Sequence, residues 1–151
     1  MKPLFATAVA LGLGLSANLA LAQTATSPVG VWKTIDDESK QERSTVRISE
    51  VNGVMTGKIE KITDPTKQGA KCDECADDRK GQPIIGLTII RNVKKNTGDT
   101  ELWDGGDILD PSNGKVYRVR LRPIDGGQKL EVRGFIGMPL LGRTQTWIRV
   151  E

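Results

Sequence analysis

The chain has 151 residues, 22 of them Lys or Arg and 19 Asp or Glu, with two Cys and no His. The lack of His excludes Ser-His-Asp and Cys-His nucleophile arrangements and every His-ligated zinc or haem site. The near-balanced charge argues against nucleic-acid binding, which needs a concentrated basic face.

Met1 and Lys2 give a short positive start, and residues 4–21 are mostly Leu, Ala, Val and Gly. Ala20-Leu21-Ala22 is the small-x-small signature of a cleavable signal peptide over residues 1–22, cut before Gln23. Its removal leaves 129 residues, enough for one domain with a core of its own. No later apolar run approaches membrane-spanning length, so no transmembrane segment is expected after cleavage and the location is periplasmic or secreted. Residues 23–28 read as a flexible leader, and residues 29–151 as a single domain.

Composition points to sheet. After residue 22, Val and Ile number 22 and Ala only three. β-branched side chains suit a pleated surface, whereas Ala favours helix. The first strand is expected over residues 29–34. Val51-Asn52-Gly53-Val54 carries the type I′ hairpin signal, since that turn needs positive φ at both central positions. Setting Val51 opposite Val54 puts Ile48 opposite Gly57, Val46 opposite Ile59, Arg47 opposite Lys58 and Thr45 opposite Glu60. One face then collects Val46, Ile48, Met55 and Ile59, and the other Arg47, Ser49, Thr56 and Lys58. Turn and alternation agree on one register.

Residues 63–83 form a long polar loop. Strand character returns over residues 84–93, and residues 94–100 turn the chain. A strand over residues 101–109 is broken by Gly105-Gly106, the mark of a bulge. Residues 110–114 carry strong turn chemistry. Tyr117, Val119 and Leu121 alternate with arginines, Asp125-Gly126-Gly127 turns again, and Leu130 and Val132 repeat the alternation. The last strand covers residues 143–150, with two possible inward sets: Thr144, Thr146 and Ile148, or Gln145, Trp147 and Arg149. Eight strands joined by short turns predict an all-β, antiparallel up-and-down barrel, which closes on itself to hide its edges. A flat sandwich is the alternative. In a barrel, Gly30 and Trp32 of the first strand and Arg149 of the last become closing residues, the guanidinium stacked on the indole at one end.

Gly30-x-Trp32 with a C-terminal Arg149 resembles the calycin superfamily of lipocalins, fatty-acid-binding proteins and avidins. More specifically, four segments resemble the bacterial family called domain of unknown function 2147. They are Val29-Gly30-Val31-Trp32; Cys72-x-x-Cys75 followed by Lys80-Gly81-Gln82-Pro83-Ile84-Ile85-Gly86; Ile108-Leu109-Asp110-Pro111 leading to Asn113-Gly114-Lys115-x-Tyr117; and Gly142-Arg143-Thr144-Gln145-Thr146-Trp147. The resemblance implies a small exported protein with a lipocalin-like barrel and no established reaction.

Cys72 and Cys75 are expected to form a disulfide, because an exported chain meets an oxidising compartment. Its expected use is local, pinning the long polar loop over one barrel end. Thiol-redox chemistry is the alternative, weakened because no βαβ pattern supplies a helix N-terminus to lower a thiolate pKa. Metal binding is disfavoured, since structural zinc wants four N or S ligands and two exist; no cofactor is expected. Residues 134–142 are apolar and Gly-punctuated, and Phe135, Met138, Leu140 and Leu141 are candidate contacts for a ligand, a membrane or a partner. Asp104, Asp107 and Asp110 cluster near a bend and read first as turn residues.

These features favour a non-enzymatic binding protein with a small apolar or amphipathic ligand in the barrel. Trp32, Val46, Ile48, Met55, Ile59, Tyr117, Val119, Leu121, Leu130 and Val132 are the expected lining, although eight strands leave little room to spare. The alternative is a cell-envelope module meeting a protein partner through its surface loops.

Overall fold

A computed structural model describes residues 26–151 of the chain. The expected signal peptide and the first part of the leader lie outside the described residues. The eight strands are β1 (Gly30–Ile35), β2 (Glu42–Val51), β3 (Val54–Ile62), β4 (Thr88–Lys95), β5 (Trp103–Asp110), β6 (Lys115–Ile124), β7 (Lys129–Phe135) and β8 (Arg143–Arg149). Each pairs antiparallel with the next, and β1 also pairs with β8, so the sheet closes into a barrel. Among the described residues the only helical pieces are three short 3-10 turns.

The β2–β3 hairpin takes the expected register from Val51↔Val54 to Val46↔Ile59. Asn52 and Gly53 have φ of 52° and 77°, the left-handed pair a type I′ turn requires. The expected facing of Thr45 and Glu60 fails. Thr45 lies opposite Lys61, because the ladder shifts between Thr45 and Val46. The misfit of Arg47 against Lys58 is relieved diagonally: Arg47 pairs with Glu60 and, at 2.7 Å, with Glu151.

The strand expected over 84–93 starts later, at Thr88, and runs on to Lys95. Residues 84–87 instead fold against the end of β3, where Ile59 exchanges backbone bonds with Gly86 and Leu87. In β5 the ladder to β6 skips between Trp103 and Gly106, as the glycine pair foretells. Asn92 in β4 sits at φ 61°, where the β3–β4 ladder shifts register between Met55↔Val93 and Gly57↔Ile90. That left-handed residue lets Ile90 and Val93 both turn inward, where each is fully buried.

The β1–β2, β3–β4, β5–β6 and β7–β8 connections share one end of the barrel, the mouth. The Asn52-Gly53 turn, the β4–β5 and β6–β7 turns and the C-terminus share the other, the floor. The core is continuous from Trp32, Val46, Ile48 and Met55 through Ile90, Val119, Leu121 and Leu130 to Trp147.

Candidate functional site

Alternation along eight strands sends one side-chain set inward, and their volumes decide where the interior stays open. Near the floor it is solid. Trp32, Val46, Leu121 and Leu130 have no exposed surface, and Ile48, Met55 and Val119 retain 1% each. Near the mouth a cavity of about 830 Å³ opens. Its apolar wall includes Ile59, Ile62, Ile84, Ile89, Ile108, Leu109, Val132 and Trp147. Its polar groups include Thr34, Ser44, Tyr117 and Gln145, and Arg43, Lys67 and Arg143 stand with several carboxylates around its edge. The Thr34 and Ser44 hydroxyls bond each other at 2.8 Å, and Trp147 Nε1 donates to Gln145 Oε1 at 3.0 Å.

The rim carboxylates are largely engaged. Arg143 Nε donates to Asp37 Oδ2 at 2.6 Å, and this bond holds the Asp37 carboxyl below its ordinary range. Asp64 takes the Thr66 hydroxyl and backbone N–H, and Asp110 takes those of Ser112.

The floor is built around Arg149. Its guanidinium carbon lies 4.1 Å from the Trp32 ring centroid. Its nitrogens donate to the carbonyls of Gly127, Val29 and Ser27. Burial lowers its pKa, but a guanidinium stays charged, so these contacts are charge-assisted. A side chain at Gly30 would occupy the space of Arg149 Nη1 and the Glu151 carbonyl. The end of the expected flexible leader is tied down: Pro28 is fully buried and its carbonyl accepts Trp32 Nε1 at 2.8 Å.

Residues 63–87 fold over part of the mouth. Cys72 and Cys75 form a disulfide with Cα atoms 5.4 Å apart, and both are buried, at 0% and 1% exposure. The segment meets the β5–β6 turn so closely that a Cβ on Gly114 would overlap the Glu74 carbonyl. Arg79, 3% exposed, donates to Asp77 and, at 3.0 Å, to the Thr88 carbonyl, while Arg91 grips both oxygens of Asp78 at 2.9 Å. The bond from Arg79 brings the Asp77 carboxyl down to about 2.

The family model described as "Uncharacterized protein conserved in bacteria", domain of unknown function 2147, matches residues 30–149. The chain belongs to this family. No curated protein matches it. Among solved structures it is similar to protein HP1028 of Helicobacter pylori, described as belonging to the lipocalin family. The TM-score is 0.72 and the identity 21%, over 84% of this chain and 85% of that one. At that identity the likeness speaks for the lipocalin-like fold.

In this member of family 2147, three of the ten expected lining residues, Ile59, Tyr117 and Val132, reach the cavity. Trp32, Val46, Ile48, Met55, Val119, Leu121 and Leu130 point inward but fill the closed half, where together with Trp103 they leave no space. Alternation reports facing and not height along the axis, so it could not separate these sets. Trp147 and Gln145 belong to one of the two inward sets left open for the last strand, and Ile108 follows from alternation in β5. Ile84 carries no periodic signal, because the folded 63–87 segment places it, whereas Ile89 is the second residue of β4. Of the expected tip contacts, Met138, Leu140 and Leu141 are 64%, 82% and 78% exposed. Phe135 is not: it is half-buried at the end of β7 with the Arg120 guanidinium 5.8 Å from its ring centre. Asp104, Asp107 and Asp110 do not converge. Asp104 accepts from Asn96, Asp107 lies in register with Arg91 and Arg118, and Asp110 organises its turn.

Proposed function

We propose that this protein is a non-enzymatic, exported binding protein whose barrel mouth holds a small apolar or amphipathic ligand. The observation that carries this reading is the cavity of about 830 Å³, walled by isoleucines, Leu109, Val132 and Trp147 and edged by charge. Sites for drug-sized ligands span ~300–1,000 Å³ and combine an apolar wall with a few placed polar groups. Tyr117, Gln145 and the Thr34–Ser44 pair are the polar groups here, and the charged rim suits an amphipathic molecule with its polar end outward. The buried disulfide supports a structural role for Cys72 and Cys75, since neither sulfur is accessible to a thiol substrate.

The test is binding of N-phenyl-1-naphthylamine, a neutral apolar fluorophore, together with mass spectrometry of a lipid extract from purified protein. Wild type should bind the fluorophore, and bulk added to the wall should expel it. Val132→Trp and Ile62→Trp should each weaken binding at least tenfold. Ile62 lies near the rim, so its variant keeps the test usable if Val132→Trp misfolds. A silent wild type with an empty extract, or undiminished binding in the folded Trp variants, would reject the reading.

A further inference from the structure

The β1–β8 seam has the fewest ladder pairs of the barrel. It holds two, Trp32↔Arg149 and Lys33↔Ile148, and both lie toward the floor. Above them β1 continues to Ile35 and β8 reaches back to Arg143, yet no ladder pair joins the two strands there. Other ladders climb to the mouth: Ile35 pairs with Glu42, Ser44 with Ile62, Asp110 with Lys115 and Gly134 with Arg143. Where the β3–β4 and β4–β5 ladders stop short, Gly86 and Leu87 bond Ile59, and Arg79 bonds the Thr88 carbonyl. Among the described residues no such backbone bond backs the upper β1–β8 seam.

Both margins of this gap belong to the cavity. Thr34 and Asp36 line it from one side, Gln145 and Trp147 from the other. Thr34 and Trp147 do not bond across the gap: Thr34 turns to Ser44, and Trp147 to Gln145. The edges meet only at the rim. Arg143 Nε donates to Asp37 Oδ2 at 2.6 Å, Nη2 faces Oδ1 of the same carboxyl, and Glu38 stands 3.7 Å from Nη2. Gln145 adds to the hold of Arg143 on that carboxyl. Asp37 sits in a turn fixed by its own bonds. Asp36 N–H bonds the Gln41 carbonyl, Lys40 N–H bonds the Asp36 carbonyl, and the Asp36 carboxyl takes the Ser39 hydroxyl and N–H. A pre-set carboxyl on one edge thus meets a two-pronged guanidinium on the other, a stronger join than an ordinary surface pair. Parting two paired strands breaks a row of backbone bonds. Parting these two edges requires only that one carboxyl let go.

We infer that the upper β1–β8 seam is a side gate of the cavity and that the Asp37–Arg143 pair is its latch. When the pair releases, the mouth widens along the seam, the ligand passes between Thr34 and Trp147, and the pair re-forms behind it. Moving parts at binding sites are drawn from the least stable joins of a fold. The gate rests on the reading of the cavity as a ligand site; the parting of the edges does not.

Stopped-flow exchange of N-phenyl-1-naphthylamine tests the gate. Asp37→Asn and Arg143→Gln should each raise both the association and the dissociation rate roughly threefold or more, the scale of a well-made ion pair. A gate speeds passage both ways, whereas lost wall contact speeds only departure. Ile35 and Thr146 alternate with inward residues and so stand on the outer face of the two edges. Ile35→Cys with Thr146→Cys, joined by a bismaleimide, should slow both rates at least tenfold, and the unjoined pair should exchange as wild type does. Nitroxide labels on the same two cysteines report the seam without ligand: adding Asp37→Asn should lengthen the distance between them. Exchange rates indifferent to the latch variants and to the bridge would overturn the gate, as would a label distance that Asp37→Asn leaves unchanged. A wild type that binds no fluorophore, with a label distance that still lengthens, would reject the ligand reading and uphold the latch.

Discussion

Arg149 concentrates more of the floor than any other residue. It stacks on Trp32 and serves the carbonyls of Gly127, Val29 and Ser27, drawing the entering chain, the β6–β7 turn and the last strand to one point. Its removal leaves those carbonyls without their charged donor and the indole without its cover. Bonds to charged groups contribute ~1.5–3 kcal/mol each, with strong overlap between them. Arg149→Ala should therefore cost about 2–4 kcal/mol, read from urea melts with circular dichroism. Arg149→Lys should recover little, because a point ammonium cannot stack and reach three carbonyls together. A loss below about 1 kcal/mol would mean that the floor holds without its guanidinium. At the mouth, Gly114→Ala should cost a comparable amount, since at φ 73° the new Cβ strains the backbone and meets the Glu74 carbonyl. The added damage should lie in the 63–87 segment, so amide exchange there should rise before exchange in the strands.

The 63–87 segment is the element whose order depends most on side chains. It carries one 3-10 turn and one isolated bridge, Lys71↔Pro83, so disulfide and ion pairs replace a ladder. Linking residues three apart removes little unfolded-chain entropy, about 2 kcal/mol on the chain-entropy account. Cys72→Ala with Cys75→Ala should keep the barrel, lower its melting temperature modestly and raise exchange at the Cys72, Gly81 and Ile84 amides, which now bond Gln82, Cys72 and Ala70 carbonyls. Loss of the barrel itself would give the disulfide a larger part than its span supports. Acid acts on the same segment. The Asp77 carboxyl falls from 3.8 to about 2 on folding, chiefly through Arg79, and Asp78 is lowered by Arg91. A depressed folded pKa stabilises above the unfolded value and ceases to do so as pH falls through the folded one. Stability contributed by Asp77 is thus complete above about pH 4 and lost between about pH 4 and 2. Wild type should lose more stability over that window than Asp77→Asn; parallel pH curves would show that the Asp77–Arg79 pair contributes nothing measurable.

For the whole molecule, closure was legible and the height of the cavity was not. Gly30, Trp32 and Arg149 suggested the seam, and the Asn52-Gly53 turn with its alternation set one hairpin register, because turn geometry and burial are local properties. The split between solid floor and open mouth depends on how side chains from all eight strands meet, which no single strand records. The seam itself is short. In the ladder, β1 meets β8 at Trp32↔Arg149 and Lys33↔Ile148. Beyond it, Val31 N–H bonds the Glu151 carbonyl at 2.8 Å, Val150 N–H bonds the Val31 carbonyl at 2.7 Å, and the Glu151 side chain meets Arg47. Val150 and Glu151 thus extend a seam that otherwise rests on two ladder pairs and the Arg149 cluster. Deleting Val150 and Glu151 removes two backbone bonds, each contributing ~0.5–1.5 kcal/mol. It also uncovers the edge of β1, and an unpaired edge is a template for a second chain. The shortened protein should lose about 1–3 kcal/mol in urea melts, exchange the Val31 amide faster, and show concentration-dependent association by light scattering that wild type lacks. If it kept full stability and stayed monodisperse, the seam would owe its closure to Arg149 and Trp32 alone, and strand pairing past Arg149 would be incidental.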